Sequence, residues 1–196
     1  DDPGMAETAE GIAADRAIDR ERQDAYAAAS HAGAVSARRD GVFDVEIIPC
    51  RSGAASVTQD SCPRETLTVD RLSRMRPVVR TGGSVTAGNA SQIADGAAGV
   101  LVVSRRVRDL LTSGGLCHRD SVSVGLEPRL CGLGAIVATT RLQERNADLD
   151  PAEMDQVAMT EAFASQMVAT IDALALDAAR VNPHGGAIAL GHPWGA

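Results

Sequence analysis

Lysine is missing altogether: all 19 basic residues of the 196-residue chain are arginine. That excludes Schiff-base chemistry and the lysine of a Walker phosphate loop. Aromatic residues make up only 2%, too few for a base-stacking platform. Positive charge is also in the minority. Twenty-six acidic residues leave a net charge of −7, the opposite of what a phosphate-backbone binder needs, so no nucleic-acid partner is expected. No apolar run approaches the roughly 20 residues of a membrane span, so no membrane partner is expected. The opening Asp1-Asp2-Pro3 has neither a basic nor an apolar leader region, which predicts no signal peptide. The absent initiator Met predicts a natural N-terminus further upstream. Cys50, Cys62, Cys117 and Cys131 form no C-x-x-C pair. They read as four reduced thiols, with no metal and a cytoplasmic location expected.

What is present is an ordinary globular composition, 44% hydrophobic and 23% charged, with alanine the commonest residue. Glu7 to Ile18 reads as helix. Asp19 is a plausible N-cap for a second helix that carries Tyr26, Ala29 and Gly33 at helical spacing and stops at Asp40-Gly41. Phe43 to Ile48 alternates and predicts a short strand; residues 51–63 predict a loop. Thr68 to Met75 predicts a short helix ended by Pro77. Val100-Leu101-Val102-Val103 predicts a strand buried on both faces, and Leu130 to Thr139 a second. Between them, Arg105 to Leu111 extends as a helix and 113–128 as loop. Asp150-Pro151 predicts a helix start. Phe163, Met167, Ile171 and Leu174 lie on one helix face, a buried stripe. Strands alternating with helices predict an α/β layered fold.

Three segments can carry chemistry. Gly185 to Gly195 surrounds His192 with glycines and stiffens the following turn with Pro193, so the ring can be presented to a ligand. Thr86-Ala87-Gly88-Asn89-Ala90-Ser91 places small residues where a ligand or backbone can come close. Thr160-Glu161-Ala162-Phe163-Ala164 precedes the apolar stripe, with Thr160 as a candidate cap. Two other readings fail on residues. Gly132-Leu133-Gly134 lacks the third glycine of a dinucleotide fingerprint. His184-Gly185-Gly186 resembles an esterase oxyanion loop, but the chain has no Gly-x-Ser-x-Gly.

Taken together and in this order, the three segments resemble the thiolase family. The family pattern Asn-Glu-Ala-Phe-Ala, then Asn-x-Asn-Gly-Gly-Ala-Ile-Ala-x-Gly-His-Pro-x-Gly-Ala, is matched by Thr160–Ala164 and Asn182–Ala196. Met5-Ala6-Glu7-Thr8-Ala9-Glu10 and Arg20-Glu21-Arg22-Gln23-Asp24 are similar to stretches of the thiolase loop domain. Val85–Ser91 with Asp95–Ala98 resembles the family's Gly-Asn-Ala-Ser stretch. The likeness is weakest over 51–63 and 105–125.

The resemblance implies an incomplete thiolase-like α/β fold with a helical loop domain at its N-terminal side. Residues 1–92 would be that domain, 93–125 the last strand and connector of the first half, and 126–196 the opening of the second half. It implies thiolysis of 3-ketoacyl-CoA or Claisen condensation of acetyl-CoA, within lipid metabolism such as fatty acid β-oxidation. CoA and acyl-CoA would be substrates, with no permanently bound cofactor, and the assembly a homodimer or tetramer. His192 would be the catalytic His, and Thr160 would stand where the family has an oxyanion-hole Asn. Ser91 would lie along the pantetheine arm with Ala87 nearby, Arg64 would meet the adenine nucleotide, and Met5 would line the acyl pocket. The two catalytic cysteines would belong upstream of Asp1 and downstream of Ala196, none of the four present being either, so the chain alone is expected to be inactive. The alternative is a non-catalytic thiolase-like protein that binds acyl-CoA or a partner.

Overall fold

The computed structural model describes residues 3–111 and 114–195. Helix α1 (Met5–Asp15) buries Thr8, Ala9, Glu10, Ile12 and Ala13 on one side. It ends where Ala17 turns to φ +52° and Ile18 donates its N–H to Ala13 O at 2.8 Å. Asp19 then caps α2 (Arg20–Arg39) by accepting from Arg22 N–H at 2.8 Å, as its position implied. The buried face of α2 is Gln23, Asp24, Ala27, Ser30, His31, Ala34 and Ala37. These are spaced by three and four residues, with small residues predominating toward the end. Helix α3 (Val69–Ser73) is capped by Thr68 and buries Leu72. Helix α6 (Ala164–Ala173) buries Met167 and Val168 between α1 and α2.

The core consists of three apolar clusters. Ile12, Ile18, Val168 and Ala169 form the first. Ala27, Leu72, Ala164 and Ile188 form the second. Met167, Leu176 and Val181 form the third. Tyr26 packs against all three. In a chain so poor in aromatics, one ring joins the centres that alanines and aliphatics build.

Three strand expectations are corrected. Over Phe43–Ile48, Glu46 and Ile47 both donate to Phe43 O at 3.0 Å, a tight turn that leaves Val45 91% exposed. Alternation without a neighbouring strand cannot hold an extended ladder. The pairing occurs inside the expected loop. There β1 (Cys50–Ser52) and β2 (Ala55–Val57) form an exposed antiparallel hairpin, Cys50 opposite Val57, around Gly53 at φ +60°. The run at 100–103 forms no ladder among the described residues, and Val100, Leu101 and Val102 are 79–87% exposed. A parallel-type strand needs cover on both faces, and among the described residues nothing covers it. Leu130 to Thr139 is not a strand. A 3-10 turn (Pro128–Leu133) leads into α5 (Gly134–Arg145), and Leu133 packs on the Ile12 cluster. The β-branched residues there suggest strand, but with no neighbouring strand to pair with among the described residues they close a helix instead, half-buried throughout.

Smaller differences follow the same logic. Arg105–Leu111 shortens to α4 (Arg105–Arg108). Asp150 does cap, accepting from Ala152 N–H at 3.0 Å, but only a single 3-10 turn follows. Thr160 caps nothing: α6 starts four residues later, with Phe163 at the N-cap position. The 182–196 stretch contains one short helix, α7 (Ala187–Leu190). Residue 113 of the expected loop and Ala196 of the terminal motif lie outside the described residues.

The corrected burial is open to measurement. Leu72 is fully buried and Leu101 is 79% exposed. In urea titrations, Leu72→Ala is expected to lose about 2–5 kcal/mol, and Leu101→Ala less than about 0.5 kcal/mol. Equal losses would return 100–103 to a packed core.

Candidate functional site

The three chemical segments lie side by side. Ser91 donates its N–H to Ala162 O at 2.9 Å, and Ala164 donates to Asn89 O at 2.9 Å, so residues 89–91 run antiparallel to 162–164. On the other side Gln92 O accepts the His192 N–H at 2.7 Å, and Ile93 bridges His192 in parallel. Segment 89–93 is therefore the middle rail of a short three-rail ladder between the Thr160 and His192 segments. The Gln92 side chain adds cross-ties: Nε2 donates to Ile188 O at 3.2 Å, and Oε1 accepts from Arg64 Nη2 at 2.9 Å.

Buried polar groups anchor each rail. Asn89, 1% exposed, shapes the turn before the middle rail. Its Oδ1 accepts from Thr86 N–H at 2.8 Å, and its Nδ2 donates to Asp24 Oδ1 at 2.9 Å and to Ser84 O at 3.0 Å. Arg20 Nε holds the other Asp24 oxygen at 2.7 Å, and its Nη2 donates to Leu72 O. The buried Glu10 carboxylate accepts the N–H groups of Ser84 and Val85 at 2.9 Å. One helix residue thus fastens the loop that leads into Gly88-Asn89.

Glu161 holds the outer rails. Its Oε1 accepts from Tyr26 Oη at 2.8 Å and Asn182 Nδ2 at 2.9 Å. Its Oε2 accepts from Ser30 Oγ at 2.7 Å and Ile188 N–H at 3.1 Å. Burial, and after it the charge of Glu161, pushes the Tyr26 phenol well above its usual range, so it stays protonated and donates. Asn182, at φ +44°, clips Met159 from both sides: its Oδ1 accepts the Met159 N–H and its Nδ2 donates to Met159 O.

The expected site residues divide into two groups. Ser91 and His192 belong to the ladder, and Arg64 reaches it through Gln92. Thr160 is exposed two residues before the ladder's outer rail, with its carbonyl accepting from Gln166 Nε2 at 3.4 Å. His192 is half-buried, its ring edge-on to Trp194 at 6.4 Å between centroids. Ala87 is exposed in the turn before the middle rail. Met5 stands outside the ladder as the mostly exposed first residue of α1. Two cavities, of about 190 and 220 Å³, are lined by none of these residues. Of the four cysteines, Cys62 comes nearest to the His192 segment. Its Sγ lies 3.3 Å from where a Cβ on Gly191 would stand, yet no hydrogen bond joins it to His192 among the described residues.

Glu161, Asn182 and Gln92 escaped the sequence reading. Glu161 had a signal, being a carboxylate set directly before the apolar run Ala162-Phe163-Ala164. Gln92 had none, because its partners lie about 30 and 100 positions away.

Solved structures give the fold. The dimeric peroxisomal thiolase of Saccharomyces cerevisiae superimposes with a TM-score of 0.92 at 39% identity, covering 98% of this chain and 50% of that one. Human mitochondrial 3-ketoacyl-CoA thiolase in complex with CoA gives 0.86 at 36%, covering 96% and 48%. The chain is therefore an α/β protein with part of a thiolase-like layered fold. Two family models match in sequence: the N-terminal domain of thiolase over residues 1–106 and the C-terminal domain over 117–196. The chain belongs to the thiolase family. It is 42% identical over 198 residues to an acetyl-CoA acetyltransferase of Pseudomonas aeruginosa, and 40% identical over 194 to the peroxisomal 3-ketoacyl-CoA thiolase of S. cerevisiae. These alignments cover 97–98% of this chain and 46–50% of the relatives, so it spans about half their length.

His31 provides a pH test of how Arg64 is held. Its buried Nδ1 accepts the Arg64 N–H at 3.1 Å, and burial, with the nearby Arg64 charge, lowers its pKa from 6.5 to about 4. Between those values the unfolded chain binds a proton that the folded chain refuses. Stability should fall as pH drops from 6.5 toward 4. His31→Asn, which keeps an acceptor near Nδ1, should flatten that part of a chemical-denaturation profile; an unchanged slope would place the titration elsewhere.

Proposed function

We propose that this chain carries the thioester-binding ladder and the catalytic histidine of a thiolase-type acyltransferase. The reaction is thiolysis of 3-ketoacyl-CoA by CoA, or Claisen condensation of acetyl-CoA in reverse. The ladder is the observation that carries this reading: it brings Ser91, Gln92 and His192 within hydrogen-bonding distance of one another's segments. In this reading residues 1–92 are the loop domain, 93–125 close the first half, and 126–196 open the second.

The proposed chemistry divides among groups already described. His192 takes the proton of an acyl-accepting thiol, leaving the thiolate that attacks, later returns it, and offers a donor to the thioester oxygen. Thr160 orients a water toward the developing oxyanion with a hydroxyl in place of an amide. Ser91 and Ala87 line the pantetheine path, and Arg64 pairs with phosphate or stacks on adenine. Met5 contributes to the acyl pocket. No permanently bound cofactor enters this scheme. A homodimer or tetramer is the assembly we propose, supported by the dimeric yeast relative.

A second reading is favoured by two observations: Thr160 in the oxyanion position, and no cysteine hydrogen-bonded to His192 among the described residues. In it the chain binds acyl-CoA or a partner without turnover.

Calorimetry with CoA and thiolysis of acetoacetyl-CoA test both readings. Arg64→Ala should weaken CoA binding on the order of tenfold. His192→Ala should leave CoA affinity within about twofold while lowering any thiolysis at least 100-fold. Binding without thiolysis by the 196-residue chain is expected of both readings. A Cys-x-Ser-Gly-type segment encoded upstream would establish the first and its absence the second. Thiolysis by this chain alone would overturn the expectation that it is inactive, and absence of CoA binding would sink both.

A further inference from the structure

The geometry points to Glu161 as the positioning residue that sets the His192 imidazole. The inference rests on the reading above, because the placement of His192 matters only for that chemistry.

Glu161 is 1% exposed, and among the described residues no cation is paired with it. Its Oε2 holds the start of α7 twice. It accepts the Ile188 N–H directly, and Ser30, which donates to it, also accepts the Gly186 N–H at 3.2 Å. From there α7 is a single rigid turn. Leu190 donates to Gly186 O at 2.8 Å and Gly191 to Ala187 O at 3.0 Å. Gly191, at φ +97°, hands the chain to His192. Displacing the Oε2 anchor therefore moves the base of the turn that ends at the imidazole. The carboxylate seats so close that a Cβ on Gly186 would stand 2.4 Å from its Cδ. At its other end Glu161 directly follows Thr160, so one side chain sets the separation of the two expected catalytic positions.

The partner set distinguishes this role from simple core filling. Two of the four partners cannot reverse. Ile188 N–H is a backbone donor. The Asn182 amide is locked in orientation by its two bonds to Met159. Glutamine offers one acceptor oxygen and one donor nitrogen. Whichever way it turns, its amide nitrogen faces either Ile188 N–H or Asn182 Nδ2. Glu161→Gln therefore preserves volume and removes one anchor.

The test uses the full 196-residue chain and needs no substrate. His192 is followed by NMR through the titration of its ring protons, assigned by its loss in His192→Asn, with amide exchange read at 188–192. In Glu161→Gln with helical circular dichroism retained, the His192 midpoint should move by at least about 0.3 pH unit. Exchange at 190–192 should speed on the order of tenfold. His118, on an exposed loop, should not move. Ser30→Ala, which removes the bridge to Gly186, should shift His192 in the same direction, and it decides the test because it breaks the Oε2 side whichever way the glutamine amide turns. Tyr26→Phe, which removes only an Oε1 donor, should leave His192 in place. An unmoved His192 in folded Ser30→Ala overturns the proposal, as does an equal shift in Tyr26→Phe. Absence of thiolysis in the wild type bears on the proposed function alone.

Discussion

A carboxylate in a dry interior must find donors, and the Glu161 carboxylate finds four, from α2, from Asn182 and from α7. An uncompensated charge at such depth costs about 3–5 kcal/mol. The three elements are therefore held to one arrangement in which all four donors converge. Apolar packing alone would not be so specific, because alanine-rich faces slide past each other at little cost. Tyr26 joins both devices: its ring touches the three apolar clusters and its hydroxyl donates to Glu161.

Close approach makes that convergence possible. A Cβ on Gly33 would stand 3.0 Å from Gly185 N and Pro183 O, and one on Gly185 2.6 Å from Ser30 O. Gly185 also takes φ +80°, a conformation open to glycine without cost. Helix α2 and the 182–192 segment thus meet backbone to backbone. The hydroxyl of Ser30 can reach both Gly186 and Glu161 only because nothing bulkier separates them.

The same economy governs the middle rail. Asn89, Glu10 and Asp24 are buried polar groups whose partners are backbone amides or other fixed side chains. They turn a loop into a surface with defined positions. Gln92 then ties that surface to Arg64 on one side and to Ile188 on the other. The ladder is short, but it is braced from α1 through Glu10 and from α2 through Asp24.

Local signals were sufficient for much of the helical frame. Asp19 and Thr68 cap where their side chains and the following apolar spacing required, and Met167 is buried, whereas Phe163, Ile171 and Leu174 of the expected stripe are half-buried. The motif segments were also legible, since small residues around a His and an Asn are visible without coordinates. Strand formation was not legible, because a strand exists only with a partner: 100–103 has the residues and no neighbour among the described residues, whereas Cys50–Val57 has weak residues and a turn that pairs them. Leu130–Thr139 became helical because Leu133 had a cluster to join. Nor could spacing show that 89–93 lies between 162–164 and 192, or that Glu161 faces Ile188. Those adjacencies join residues about 30 to 100 positions apart, and only packing that satisfies every buried donor and acceptor at once selects them.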